Sequence, residues 1–138
     1  MRSYLVVANQ TLGGEHLIQR VRQCLAEGPC RYHIVVPATP QGELLTWTEG
    51  RSTPIAQDRL DRALARFRDL GAEADGEVGD KNPILAIQDA LRHGAFDEII
   101  LSTLPPGISR WLKLDLPSRV AARFNLPVTH LVVETEAA

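Results

Sequence analysis

Short unbroken apolar runs alternate with amphipathic stretches along most of the chain, and that alternation restricts the fold more than any other feature. Residues 5–8 are apolar throughout. A strand with this pattern must be covered on both faces, since a half-exposed strand would alternate apolar with polar. Leu17, Ile18, Val21, Cys24 and Leu25 then share one helical face, which Gly28-Pro29 terminates. Residues 32–36 give a second buried strand. Thr53 as N-cap and Pro54 in the first turn open a longer helix. Its stripe is Leu60, Ala63, Leu64 and Phe67, and Gly71 ends it. Residues 72–78 are polar and alternating, as suits an edge strand. Asn82-Pro83 starts another helix, with Ile84, Ile87 and Leu91 inward and Gly94 as its close. Residues 99–101 form a fourth strand and Val128 to Val133 a fifth. Between them a helix over 116–124 buries Leu116, Val120 and Phe124 and ends before Pro127. Single helices between successive strands imply right-handed crossovers. The expected fold is α/β: a five-stranded, mostly parallel sheet with helices on both faces.

A chain of 138 residues accommodates one domain, spanning 1–138. Its net charge of −2 gives no electrostatic pull toward nucleic acid or an anionic membrane. No apolar run approaches the roughly eighteen residues of a membrane span. The first residues are too short and poorly flanked for a signal peptide, so a cytoplasmic location is expected. Cys24 and Cys30 are the only cysteines. With no histidine pair nearby they make no zinc site, and Cys24 belongs to the core. No metal is expected.

Ligands of open parallel sheets bind outside the carboxyl ends of the strands, where the strand order reverses. The loops concerned begin at Asn9, Pro37, Gly79 and Ser102. In the first, Gly13-Gly14 either exposes backbone N–H groups to an anion or simply permits a turn and caps the helix. The long connection over 37–52 carries Leu44, Leu45 and Trp47, which cover the domain itself or serve as a lid or partner contact. Catalysis finds no support. Ser102 and Thr103 lack the glycine-serine-glycine elbow of a nucleophile. His16, His33, His93 and His130 have no partner at a fixed spacing. Asp58, Asp61 and Asp69 read as the wet face of their helix.

Several short motifs, in order, carry a family resemblance. Gly79-Asp80 precedes Pro83-Ile84; Gly107-Ile108-Ser109-Arg110 follows the fourth strand; Arg119-Val120 and Pro127-Val128 come after. In this order and spacing the chain resembles the universal stress protein family over nearly its whole length except 37–52. The resemblance implies the three-layer sandwich of the adenine nucleotide alpha-hydrolase type and a non-catalytic role in sensing or regulation under stress. It implies a pocket lined by Ala8, Asn9, Thr11, Val36, Pro37, Ser102, Thr103, Gly107 and Ser109, taking an adenine nucleoside or nucleotide. It also implies a homodimer through Val128 to Val133, an apolar run that would otherwise be an exposed edge unless the protein's own loop covers it.

The departures from the family pattern bear on activity. Asn9-Gln10-Thr11 stands where the family has aspartate, glycine and serine. Nucleotide-binding members carry glycine, two residues, glycine, nine residues, then glycine with serine or threonine. Here Ser102-Thr103-Leu104-Pro105-Pro106 enters a loop one residue shorter, Gly107 stands near the second glycine, and Leu114-Asp115 replaces the closing pair. Pro105 and Pro106 remove two backbone donors. Leu114 blocks the close approach that glycine permits. Asp115, as N-cap of the last helix, is expected to take the N–H groups an anion would need. At about 5 Å and an effective dielectric near 20 it would repel a phosphate charge by roughly 3 kcal/mol, about a hundredfold in affinity. Arg110 and Lys113 offset part of that or are merely solvated. The expectation is a nucleotide or small-ligand module with a degenerate phosphate loop, unlike the ATP-binding members. The alternatives are an enzyme acting on an adenylated substrate, for which residues 9–14 lack a serine-glycine-glycine signature, and a ligand-free scaffold that binds a partner through Leu44, Leu45 and Trp47.

Overall fold

In the computed structural model the described residues are 2–9, 11–12, 14–38, 49–103, 111 and 115–132, with 49–53 as backbone. The chain runs β1 (Arg2–Val7), α1 (Glu15–Glu27), β2 (Cys30–Pro37), α2 (Glu49–Asp69), β3 (Glu73–Gly79), α3 (Pro83–His93), β4 (Glu98–Thr103), α4 (Leu116–Arg123) and β5 (Val128–Val132). The five strands form one parallel sheet in the order β3-β2-β1-β4-β5. From β1 the chain winds outward to β3, then crosses back to β4 on the other side. The order therefore reverses between β1 and β4. That is where an open parallel sheet leaves a crevice at its carboxyl ends.

The alternation of side chains along each strand builds two cores, one per face. Tyr4, Val6, Tyr32, Ile34 and Ile100 pack beneath α1 and α2, meeting Leu17, Ile18, Val21, Leu60, Ala63 and Phe67. Leu5, Val7, Val35, Ile99 and Leu101 point the other way, against Ile84, Ile87, Leu116 and Val120 of α3 and α4. This is why residues 5–8, 34–36 and 99–101, the middles of β1, β2 and β4 and the residue after β1, read as continuous apolar runs. Cys24 lies in the first of these cores, as its place on the helical stripe requires. The Tyr4 and Tyr32 rings stack at 5.2 Å, and Phe67 meets Tyr32 edge-on at 5.4 Å. Each such pair contributes about 0.5–1.5 kcal/mol beyond its buried area.

The helix boundaries follow local chemistry, with two corrections. The Asn82 side chain accepts from Ile84 N at 3.0 Å, and Pro83 occupies the first turn of α3, as expected. Gly71, past the end of α2, sits at φ +99° and returns its N–H to Arg68 O at 3.0 Å. The start of α2 differs from expectation: the helix begins at Glu49, so Pro54 lies inside it and Thr53 is no cap. Pro54 gives the ladder no N–H and its ring crowds the carbonyl four residues earlier, so the helix runs through its proline at a cost. The connection after β2 therefore ends before Glu49, and its Leu44, Leu45 and Trp47 lie outside the described residues.

The second correction concerns Asp115. It occupies the N-cap position of α4 but has φ +53°, and its carboxylate makes no cap hydrogen bond. Caps normally sit in the extended region and bond the N–H of the second or third helical residue. Here the second is Pro117, which has no N–H, and the left-handed backbone turns the side chain away. Only the Asp115 carbonyl serves the helix, accepting from Arg119 N at 3.1 Å. The carboxylate does not occupy the helix's donors, and its exposure exposes its charge to solvent screening.

The polar strand β3 is one edge of the sheet, as its alternation required, and β5 is the other. Gly76 lets α2 close on β3: a Cβ there would lie 2.5 Å from Ile34 O and 2.6 Å from the Leu60 side chain.

Candidate functional site

The crevice between β1 and β4 is built from the residues that follow those strands. After Val7 the chain passes through Ala8, Asn9, Thr11 and Leu12, all buried. Leu12 N bonds Asn9 O at 3.3 Å and Gly14 N bonds Thr11 O at 3.0 Å, so the turn closes on itself before α1. Gly14 is thus the N-cap of α1, and its N–H is occupied by the turn. Across the gap, Ser102 and Thr103 end β4, each almost fully buried at 1% and 2% exposure.

A hydroxyl pair and a hydroxyl–imidazole contact define the β4 side. Thr11 Oγ1 lies 2.7 Å from Ser102 Oγ and 3.2 Å from Ser102 O, bridging the point of reversal. Thr103 Oγ1 lies 2.8 Å from His130 Nε2 on β5. Burial holds the His130 imidazole below its ordinary value of 6.5, which favours the neutral ring. A hydroxyl beside a neutral imidazole has the form of a nucleophile–base pair. Among the described residues no carboxylate is bonded to the other ring nitrogen. Thr103 is also nearly sealed from solvent, and the pair ties β4 to β5.

The β2 side carries a third network. Asn9 Nδ2 donates to Pro37 O at 2.7 Å, tying the turn after β1 to the end of β2. Arg59 of α2 donates from Nη1 to Asn9 Oδ1. Burial pushes the Arg59 guanidinium below its ordinary value, the sign of a cation partly removed from water. Sequence reasoning did not single out Arg59. On a helix it reads as one arginine among several, and only the fold sets it beside a residue fifty positions earlier.

The structure thus brings Ala8, Asn9, Thr11, Pro37, Ser102 and Thr103 to the carboxyl ends of adjacent strands. Val36 is buried in the core beneath α1 and α2. Gly107 and Ser109 lie outside the described residues, as do Pro105, Pro106, Arg110, Lys113 and Leu114. Trp111 is packed in the core beneath α3 and α4. His33 on β2 faces Asp75 Oδ1 at 2.8 Å and Glu77 Oε2 at 3.3 Å on the edge strand, away from the reversal point. Among the described residues no group of three or more histidine, cysteine, aspartate or glutamate side chains is placed to hold a metal ion. No described helix is long and apolar enough to cross a membrane.

A five-stranded parallel sheet in this order, covered on both faces and with its crevice at the reversal point, defines a doubly wound α/β protein. Solved structures narrow that class. A universal stress protein from Archaeoglobus fulgidus matches 94% of this chain and 93% of its own, at 17% identity and a TM-score of 0.59. A protein from the universal stress protein family from Burkholderia pseudomallei matches 94% of each chain, at 16% identity and a TM-score of 0.61. The Archaeoglobus fulgidus protein in complex with dAMP matches 94% of this chain and 96% of its own, at 16% identity and a TM-score of 0.55. The fold of this chain is therefore similar to that of universal stress proteins, as its motifs led one to expect. No protein-family model matches the chain, and no curated protein matches it.

Proposed function

We propose that the chain is a single-domain, non-catalytic binding module of stress response. Its crevice between β1 and β4 takes an adenine nucleoside or nucleoside monophosphate. The observation that carries this reading is the Thr11–Ser102 bridge at the reversal point, with Asn9 beside it at the end of β1, in a fold similar to that of a protein solved with dAMP. Ala8, Val36, Pro37 and Thr103 complete the expected walls, and Gly107 and Ser109 the expected loop side. ATP in the mode of the nucleotide-binding members is disfavoured by the two prolines at 105 and 106 and by Leu114. The Asp115 objection is weaker than the sequence suggested, because the carboxylate is solvated and leaves the helix donors open. A cytoplasmic homodimer through the final strand completes the reading; β5 is a sheet edge with half-buried side chains, which supports pairing there.

Melting temperature with adenosine, AMP, magnesium-ATP and no addition tests this directly. A ligand at a hundred times its dissociation constant stabilises the fold by about 2.7 kcal/mol. Adenosine and AMP are expected to raise the melting temperature and ATP to leave it unchanged. No shift with any of them removes the nucleotide reading and leaves the scaffold alternative.

One observation favours an enzyme instead: the Thr103–His130 pair. Turnover of an adenylated substrate that is lost in Thr103→Val and kept in Thr11→Val would establish it. Absence of turnover in the unmodified protein would dismiss it.

A further inference from the structure

We propose that Arg59 is the anion-recognition group of this crevice, so that a phosphate monoester binds against its guanidinium at the carboxyl ends of β1 and β2. The identity of the ester as a nucleotide rests on the reading above; the anion site itself does not.

The argument begins with what Arg59 lacks. Arg62 pairs with Asp58 at 3.1 Å, Arg66 with Glu15 at 3.7 Å, and Arg68 donates twice to Ala74 O. Those three arginines of α2 are satisfied at the surface by acids or a carbonyl. Arg59 is turned inward, and among the described residues its partner is the neutral amide oxygen of Asn9. Asp58, its sequence neighbour, is bonded by Arg62 and reaches Arg59 only through its charge, with no hydrogen bond between the two among the described residues. A partly buried cation is ordinarily paired, because desolvating a charge without a counter-charge is costly. A neutral side chain could brace Asn9 without that cost. The N–H donors that Asn9 leaves unused suit an anion.

The geometry suits one. Asn9 is 6% exposed and fixed through its own donor to Pro37 O, so it holds the guanidinium from a rigid base. A guanidinium has five N–H donors in a planar fork, which matches two oxygens of a phosphate at once. The bond to Asn9 uses one of them. Pro105 and Pro106 carry no backbone N–H. Arg59 supplies charge and donors from α2.

Calorimetric titration of adenosine and AMP into the unmodified protein, Arg59→Gln and Arg59→Lys tests the proposal. Each variant's melting curve establishes that it is folded. AMP is expected to bind roughly ten- to hundredfold more tightly than adenosine, the range for charge-assisted hydrogen bonds. Arg59→Gln should erase that margin between AMP and adenosine, and Arg59→Lys should retain part of it. A margin that survives Arg59→Gln, or no margin in the unmodified protein, overturns the proposal. Failure of adenosine and AMP alike to bind defeats the nucleotide reading instead. Inorganic phosphate titrated against the Arg59 Nε–Hε resonance of the unmodified protein then decides the anion site alone. A saturable shift supports it, and an unmoved resonance overturns it.

Discussion

Thr11 and Ser102 place their hydroxyl oxygens 2.7 Å apart across the gap between β1 and β4. The bond joins residues ninety-one positions apart at the one place where the sheet's winding changes direction. Both side chains are buried, so neither hydroxyl has water as an alternative partner. A polar ligand edge can enter there only by exchanging its own hydrogen bonds for this one.

That pairing sets a first expectation. Thr11→Val keeps the shape and removes the hydroxyl, leaving Ser102 Oγ without its partner, at a cost of about 1–3 kcal/mol. Ser102→Ala should cost a similar amount. The double variant should cost less than the two singles combined by roughly 0.5 kcal/mol or more, measured by urea unfolding. Strict additivity would show that the hydroxyls are not coupled.

His130 gives a pH signature. Burial lowers its folded value below the ordinary 6.5, so the unfolded chain binds this proton more readily than the fold. The stability it contributes is complete above the unfolded value and declines as pH falls below it toward the folded value. Between about pH 7.5 and about pH 5 the protein should therefore lose more stability than His130→Asn does. Equal losses in thermal unfolding would contradict the assignment.

Gly76 is where α2 presses on the edge strand. A methyl group there meets Ile34 O at 2.5 Å and Leu60 Cδ1 at 2.6 Å, and the former is backbone that cannot rotate aside. Gly76→Ala is expected to destabilise by about 1–3 kcal/mol, as overpacking does. Adding Leu60→Ala should return part of that loss if the clash is the cause.

Tyr32 makes the opposite case. Its ring is fully buried between Tyr4 and Phe67, yet its hydroxyl has no hydrogen-bond partner among the described residues. Burial, with the Cys24 thiol nearby, raises its ionisation far above the ordinary tyrosine value. Tyr32→Phe should be neutral or stabilising within about 1 kcal/mol. Phe67→Ala should cost roughly 3–5 kcal/mol. A large loss in Tyr32→Phe would mean that the hydroxyl is satisfied after all.

Much of the fold is legible in the residues. The unbroken apolar runs at 5–8, 34–36 and 99–101 mark strands covered on both faces, and the polar alternation from Glu73 marks an edge. Asn82-Pro83 sets a helix start through a cap that the structure realises in full. What escapes is whatever depends on backbone state or distant pairing. Asp115 has a cap's chemistry but not its conformation, because Pro117 withdraws one donor and φ is positive. Thr53-Pro54 looks like a start only because the helical turn before it carries no apolar stripe. Asn9 and Thr11 are visible as loop residues after a strand, whereas Arg59 and the Thr103–His130 pair require register and helix orientation that no local pattern encodes.

The central claim, an adenine nucleoside site at the reversal point, is most directly tested by adenosine titration into uniformly labelled protein, followed residue by residue in amide spectra. The expected result is saturable shifts at Ala8, Asn9, Thr11, Ser102 and Thr103, with β3 and the amino end of the sheet unmoved. Shifts confined to the His33–Asp75–Glu77 edge, or no shifts with adenosine at millimolar concentration, would contradict the account.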